Sequence, residues 1–194
     1  ASGRPMTGSQ VEQANKILND PSFFGNADTD WVGLVLRNGI TQNVDVSVSG
    51  GGKNSKYYTS LSYTGQEGTL IGTDFKRISG KISLDNDIAK WFRLYANLNY
   101  GYTKNNLTNG IYGQALMAPP VFAPFNEDDA YAALGDLSSD YRGYQNPLAV
   151  AQGTNLAKDY LLKGSLAAEI TFLRDFKFKS TVSVSYDAYN QLNY

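Results

Sequence analysis

From Ile40 onward, apolar and polar residues alternate with a period of two, which restricts this part of the chain to strands with two unlike faces. Six runs carry the pattern. About Gln42 to Ser49 places Val44, Val46 and Val48 opposite Asn43, Asp45 and Ser47, and about Tyr57 to Gln66 follows after the turn at Gly50–Asn54. About Phe75 to Leu84 ends at a turn expected over Asp85–Asp87. The fourth run is the clearest: Phe92, Leu94, Ala96, Leu98, Tyr100 and Tyr102 alternate with Arg93, Tyr95, Asn97, Asn99, Gly101 and Thr103. The fifth sets Leu162, Gly164, Leu166, Ala168 and Ile170 against Lys163, Ser165, Ala167, Glu169 and Thr171. After Leu173–Asp175, the sixth sets Phe178, Val182, Val184 and Tyr186 against Lys177, Lys179, Thr181, Ser183 and Ser185. Eight charges in these runs (Asp45, Arg77, Lys81, Arg93, Lys163, Glu169, Lys177 and Lys179) fall on the polar face.

Alternation alone leaves open which face meets water. A soluble sandwich turns its apolar face inward, whereas a membrane barrel turns it out to lipid. Three features favour the barrel. Ten steps from Phe92 to Tyr102, at ~3.3 Å each and tilted ~45°, cover about 23 Å, close to the ~25 Å apolar band of outer-membrane barrels. Aromatic residues gather at both strand ends: Tyr57, Trp91, Phe92, Phe172 and Phe176 at one, Tyr63, Tyr100, Tyr102, Tyr160 and Tyr186 at the other. Connections also alternate between short and long, as periplasmic turns and outer loops do.

Composition removes several chemistries. Seventeen basic against 18 acidic residues leave a net charge of −1, without the basic excess that nucleic-acid binding needs. There is no Cys and no His, so disulfides, thiolate metal sites, cysteine nucleophiles and the commonest general base are excluded. Near the start, Ser9 to Glu12 reads as a capping box for a short helix with Val11, Ala14, Ile17 and Leu18 on one face, stopped by Pro21.

These runs sit among motifs that resemble the SusC/RagA family, TonB-dependent outer-membrane transporters of Bacteroidetes. The motifs are Asp28 to Trp31, Gln42-Asn43 leading to Ser47–Gly51, Tyr57-Tyr58 through Tyr63 to Gln66–Gly68, Lys76-Arg77, Trp91, and Asn146-Pro147. Each is short, but their order and spacing extend over nearly the whole chain from Ser9. The resemblance implies an all-β fold: an antiparallel transmembrane β-barrel segment, about six strands of a larger plugged barrel, with long extracellular loops and a short N-terminal loop helix. It implies that Ser9 to Ile40 is the first outer loop and that the six runs are the second to seventh strands of a piece of a longer chain. Six strands cannot close a barrel. The expected organisation is an extracellular loop with a helix over 1–39, four strands over 40–104, a long extracellular loop over 105–158 and two strands over 159–194.

Sharper chemical readings give way to plainer ones. Asn26, Asp28 and Asp30 resemble the start of a calcium loop, but Trp31 stands where glycine is needed and Arg37 where the bidentate Glu belongs. Gly50–Lys53 is a turn rather than a phosphate loop, with Ser47 and Asn54 at key positions. Asn106–Thr108 fits a glycosylation sequon that carries no meaning in a bacterial barrel. Glu127, Asp128 and Asp129 read as acids at the start of a helical turn over Asp128–Leu134 rather than as a glycosidase pair.

The connection from Asn105 to Lys158 is the anomaly, because connections this long are usually functional. It carries Tyr112, Phe122, Phe125, Tyr131, Tyr141 and Tyr144, candidate substrate-binding rings that could stack on sugars or pack peptide side chains, or else pack the loop itself. Between Leu107 and Ala157 five acids face one base, Arg142, for a net charge of −4. The reading is part of a TonB-dependent importer in the outer membrane, not an enzyme, with no catalytic residue, metal or cofactor. Its cargo is expected to be a glycan, or alternatively a peptide. The resemblance implies a SusD-like surface lipoprotein as lid and TonB acting through a plug region. The alternative is a soluble carbohydrate-binding β-sandwich.

Overall fold

The computed structural model describes residues 7–19, 27–107, 110–126, 128, 130–132, 145–153, 155–173 and 175–193. Helices α1 (Gly8–Asn19) and α2 (Trp31–Val35) precede strands β1 (Thr41–Gly51), β2 (Ser55–Glu67), β3 (Asp74–Ala89) and β4 (Phe92–Asn106). Helices α3 (Ile111–Met117) and α4 (Pro147–Ala151) lie in the long connection, and β5 (Asn155–Phe172) and β6 (Phe176–Asn193) follow. The strands form one antiparallel sheet in sequence order, β1 to β6, with each strand hydrogen-bonded to the next. A sandwich needs two facing sheets. Among the described residues there is one, and the sandwich alternative falls.

The alternation becomes a physical separation of faces through the register. Val48, Thr59, Ile82, Leu98, Gly164 and Val184 are successive partners across the sheet, so one row crosses all six strands on the apolar face. Its side chains stay exposed among the described residues. Val46 and Leu61 are 60% exposed, and Val182 and Val184 66%. An apolar surface far larger than a few hundred Å² marks an interface with a partner or with lipid. No helix among the described residues is long and apolar enough to cross a membrane, so any crossing is made by strands.

Several strand ends differ from the sequence expectation. β3 runs through Asp85–Asp87 to Ala89, and the turn falls at Lys90 and Trp91. The reason is a cross-strand pair: Arg93 is the register partner of Asp87, and its Nη2 donates to Asp87 Oδ2 at 2.9 Å. That contact keeps the ladder closed past a bulge between Asp87 and Ala89. β4 extends to Asn106 and β5 begins at Asn155, leaving 107–154 as the connection. Of the helical turn expected over Asp128–Leu134, Asp129, Ala133 and Leu134 lie outside the described residues; Asp128 is in a turn and Phe125 and Tyr131 bridge as antiparallel partners. α1 is present, with the Val11 N–H donating to the Thr7 carbonyl at 3.0 Å. The Ser9, Ile17 and Leu18 side chains of the expected cap and apolar face lie outside the described residues.

The chain divides into two compact units. One is the sheet: 39–68, 73–107 and 154–194. The other gathers 1–38, 69–72 and 108–153. Its core is Trp31, Val35, Ile111, Ala115, Ala118 and Phe122, with Leu70, Ile71 and Leu148 packed against it. Residues from three distant stretches thus share one interior, which is ordinary globular packing.

Candidate functional site

Four of the six aromatic residues singled out in the long connection, Tyr112, Phe122, Phe125 and Tyr131, are described in the loop-built unit, which is assembled from the backbone upward. Asp30 caps α2, its Oδ1 accepting from the Gly33 N–H at 2.8 Å. Asp30, the last of the Asn26, Asp28 and Asp30 set, is thereby spent on a helix end. Gly33 is needed there, since a Cβ would stand 2.3 Å from Asp30 Oδ2. Trp31, 2% exposed, donates from its indole Nε1 to the Pro119 carbonyl at 2.8 Å. Thr29 adds two more ties to the same stretch, its N–H to Pro120 O at 2.8 Å and its Oγ1 to Phe122 O at 2.7 Å. α3 starts from Gly110 in the left-handed region (φ 74°), which glycine adopts without steric cost.

Asn146 is the second organiser. It is 4% exposed, and every polar atom of its side chain is used. Nδ2 donates to the Pro124 carbonyl at 2.7 Å and the Ala132 carbonyl at 3.1 Å, while Oδ1 accepts from the Leu148 N–H at 3.0 Å and caps α4, with Pro147 at its first position. The side chain clamps both arms of the segment between Pro124 and Ala132. Within that segment Asn126 makes an Asx-type turn, its Oδ1 accepting from the N–H groups of Asp128 (3.1 Å) and Ala130 (2.8 Å).

The clamp presents a pair of rings. Phe125 and Tyr131 lie with centroids 5.4 Å apart and planes at 31°, and both remain partly exposed, at 44% and 36%. Gln152 Nε2 donates to the Tyr131 hydroxyl and fixes its tip. Tyr112, on α3, is exposed at the surface of the same unit. Phe122 is placed otherwise: it is 5% exposed and belongs to the core. Tyr141 and Tyr144 lie outside the described residues, as do Glu127, Asp129, Asp136, Asp140 and Arg142. Trp31 and Asn146 organise the unit structurally and are not singled out by composition or periodicity; their signal in the sequence is membership of the short motifs.

The polar face of the sheet holds a separate set of charges near the short turns. Arg93 bonds Asp87 and lies 3.7 Å from Asp85, Glu169 pairs with Lys177 at 3.6 Å, and the Lys179 ammonium stands 4.3 Å from the Tyr95 ring centroid. A polar recess of about 520 Å³ opens there, lined in part by Asn54, Trp91, Asp87, Arg93, Glu169 and Lys177. Four of its ionic groups are matched with one another, Arg93 with Asp87 and Lys177 with Glu169, so it reads as bracing rather than as a ligand site.

Similarity to known proteins agrees with this anatomy. The chain is 30% identical over 172 residues to TonB-dependent receptor P26 of Formosa agariphila, covering 87% of this chain and 17% of that one. It is 25% identical over 199 residues to TonB-dependent receptor SusC of Bacteroides thetaiotaomicron, covering 89% and 20%. The chain thus spans about a fifth of the length of these relatives. Among solved structures, the RagAB peptide importer in its closed-closed state superposes with a TM-score of 0.68 at 20% identity, over 98% of this chain and 24% of that one. No protein-family model matches the chain.

Proposed function

We propose that this chain, a SusC/RagA-like barrel segment of a TonB-dependent receptor located in the outer membrane, supplies wall and outer-mouth elements of a nutrient importer. The observation that carries the proposal is the six-stranded sheet whose apolar face is exposed among the described residues. Lipid takes that face, and the polar face lines the lumen. The two outer strands β1 and β6 pair with further strands of the complete barrel, because open edges do not persist in hydrocarbon.

The loop-built unit belongs on the outer side, where long connections gather. There Tyr112, Phe125 and Tyr131 face the cargo, with Tyr141 and Tyr144 completing the set, while Phe122 holds the unit together from inside. Aromatic faces suit sugar rings and peptide side chains alike. A glycan is the expected cargo and a peptide the alternative, which the name of the RagAB importer supports. The net charge of −4 between Leu107 and Ala157 would repel acidic polymers and favours neutral or weakly basic cargo. A SusD-like lipoprotein closes over the mouth, and TonB supplies energy through a plug.

The test is uptake by the full-length receptor carrying Tyr112→Ala, Phe125→Ala and Tyr131→Ala together. At about 0.5–1.5 kcal/mol per ring, cargo affinity should fall tenfold or more. Surface abundance should stay unchanged, since the three rings are exposed. Normal growth on the cognate nutrient at normal abundance would remove the rings from the cargo path.

A further inference from the structure

Every charged residue that the six strands place on the apolar face lies in two adjacent rows at one end. The outermost row contains Glu67 and Asp74, which are register partners. The next contains Lys76, Lys104 and Lys158: Lys76 pairs with Lys104, and Lys104 with Lys158. Gly65 and Asn190 flank them in the same row. One step further toward the middle of the sheet come Tyr63, Ile78, Tyr102 and Tyr160, in register, with the Tyr102 and Tyr160 ring centroids 4.9 Å apart. From Tyr160 to Phe172, β5 shows this face only Leu162, Gly164, Leu166, Ala168 and Ile170 between its two rings.

Three ammonium groups on directly opposed positions, with Cα atoms about 4.5–5.5 Å apart, repel one another and weaken the sheet. None of the three is in an ion pair among the described residues, and Glu67 and Asp74 stand a row away without reaching them. Such a row is stable where an external anion sits against it. Its position supplies the anion. Just beyond the tyrosines that mark the edge of hydrocarbon, a lysine can lay its stem along apolar surface and lift its ammonium into the headgroup layer. Clusters of Lys at that depth attract anionic lipid.

We propose that Lys76, Lys104 and Lys158 form a binding site on the lipid-facing wall for the phosphate of a phosphorylated lipid headgroup in the leaflet on the long-connection side. The row spans about 10 Å, so neighbouring ammonium groups share one phosphate or grip two closely spaced ones. The proposal rests on the apolar face being the lipid face.

The test uses the full-length receptor in nanodiscs of zwitterionic lipid doped with phosphorylated lipid A, or with the same lipid dephosphorylated. Native mass spectrometry counts lipid retained, and heat-dependent electrophoretic mobility reports the folded barrel. Wild type should retain the phosphorylated lipid and not the other. K76Q/K104Q/K158Q should weaken retention by about fivefold per lysine, roughly a hundredfold together. K76R/K104R/K158R, which keeps the charge, should retain it. Equal retention of the two lipids by wild type, or by the Gln variant and wild type, overturns the site; so does displacement by excess inorganic phosphate, which would make it a free-anion site. A receptor that inserts and folds while failing these arms loses the lysine site alone, whereas one that cannot insert loses the lipid-face reading itself.

Discussion

The two units use the same residue types under opposite rules. In the loop-built unit Trp31, Val35 and Ile111 are at most 2% exposed and gather in one interior. In the sheet unit Val46, Leu61, Val182 and Val184 remain at least 60% exposed on one shared face. Water drives the first arrangement, since burying a large apolar side chain is worth about 1.5–3 kcal/mol. The second is stable only where the surroundings are as apolar as the side chains. Within one chain, exposure of Val or Leu therefore reports the solvent that a region meets rather than how well it is packed.

The contrast can be broken at its strongest point in each unit. Trp31→Ala should cost the loop-built unit about 3–5 kcal/mol, because it opens a cavity and removes the indole hydrogen bond to the Pro119 carbonyl. Limited proteolysis of the folded receptor should then cut between residues 108 and 153 while the barrel keeps its heat-dependent mobility. A barrel that is lost together with the loops would mean that the two share one stability.

Leu98→Arg addresses the sheet. Leu98 lies mid-face between Ile82 and Gly164, and Arg at the bilayer midplane costs about 2–4 kcal/mol. Asn97→Arg, one residue away on the lumen side, should be nearly neutral. Folding of the full-length receptor into lipid vesicles measures both, and equal effects at the two positions would reverse or abolish the face assignment.

Two smaller effects sharpen the picture of the loop-built unit. Asn146→Ala removes the side-chain donor from the Ala132 carbonyl, leaves the Pro124 carbonyl only the Ala132 N–H, and should cost about 1–3 kcal/mol. Faster amide exchange at Asn126 and Ala132 is its signature, because both N–H groups bond within the clamped segment. Asp30→Ala removes only a cap and should cost about 1 kcal/mol, seen as faster exchange at the Gly33 amide. An Asp30 effect exceeding that of Asn146 would shift the organising role to the start of α2.

The faces of the strands are legible in the sequence because side-chain direction alternates locally: Leu98 and Asn97 point apart whatever the rest of the chain does. The number and order of the strands follow from the same alternation and its turn residues. Their ends do not, since β3 passes Asp85–Asp87 only because Arg93 of the next strand meets Asp87. The loop rings divide in the same way. Sequence places six aromatics in one connection, but Phe122 goes to the core through contacts with residues such as Trp31, some ninety positions away, while Phe125 and Tyr131 are turned outward by the Asn146 clamp. The lysine row is the sharpest case. Lys76, Lys104 and Lys158 are scattered over the chain, and only the hydrogen-bond register, a property of paired strands and not of any one of them, sets them side by side.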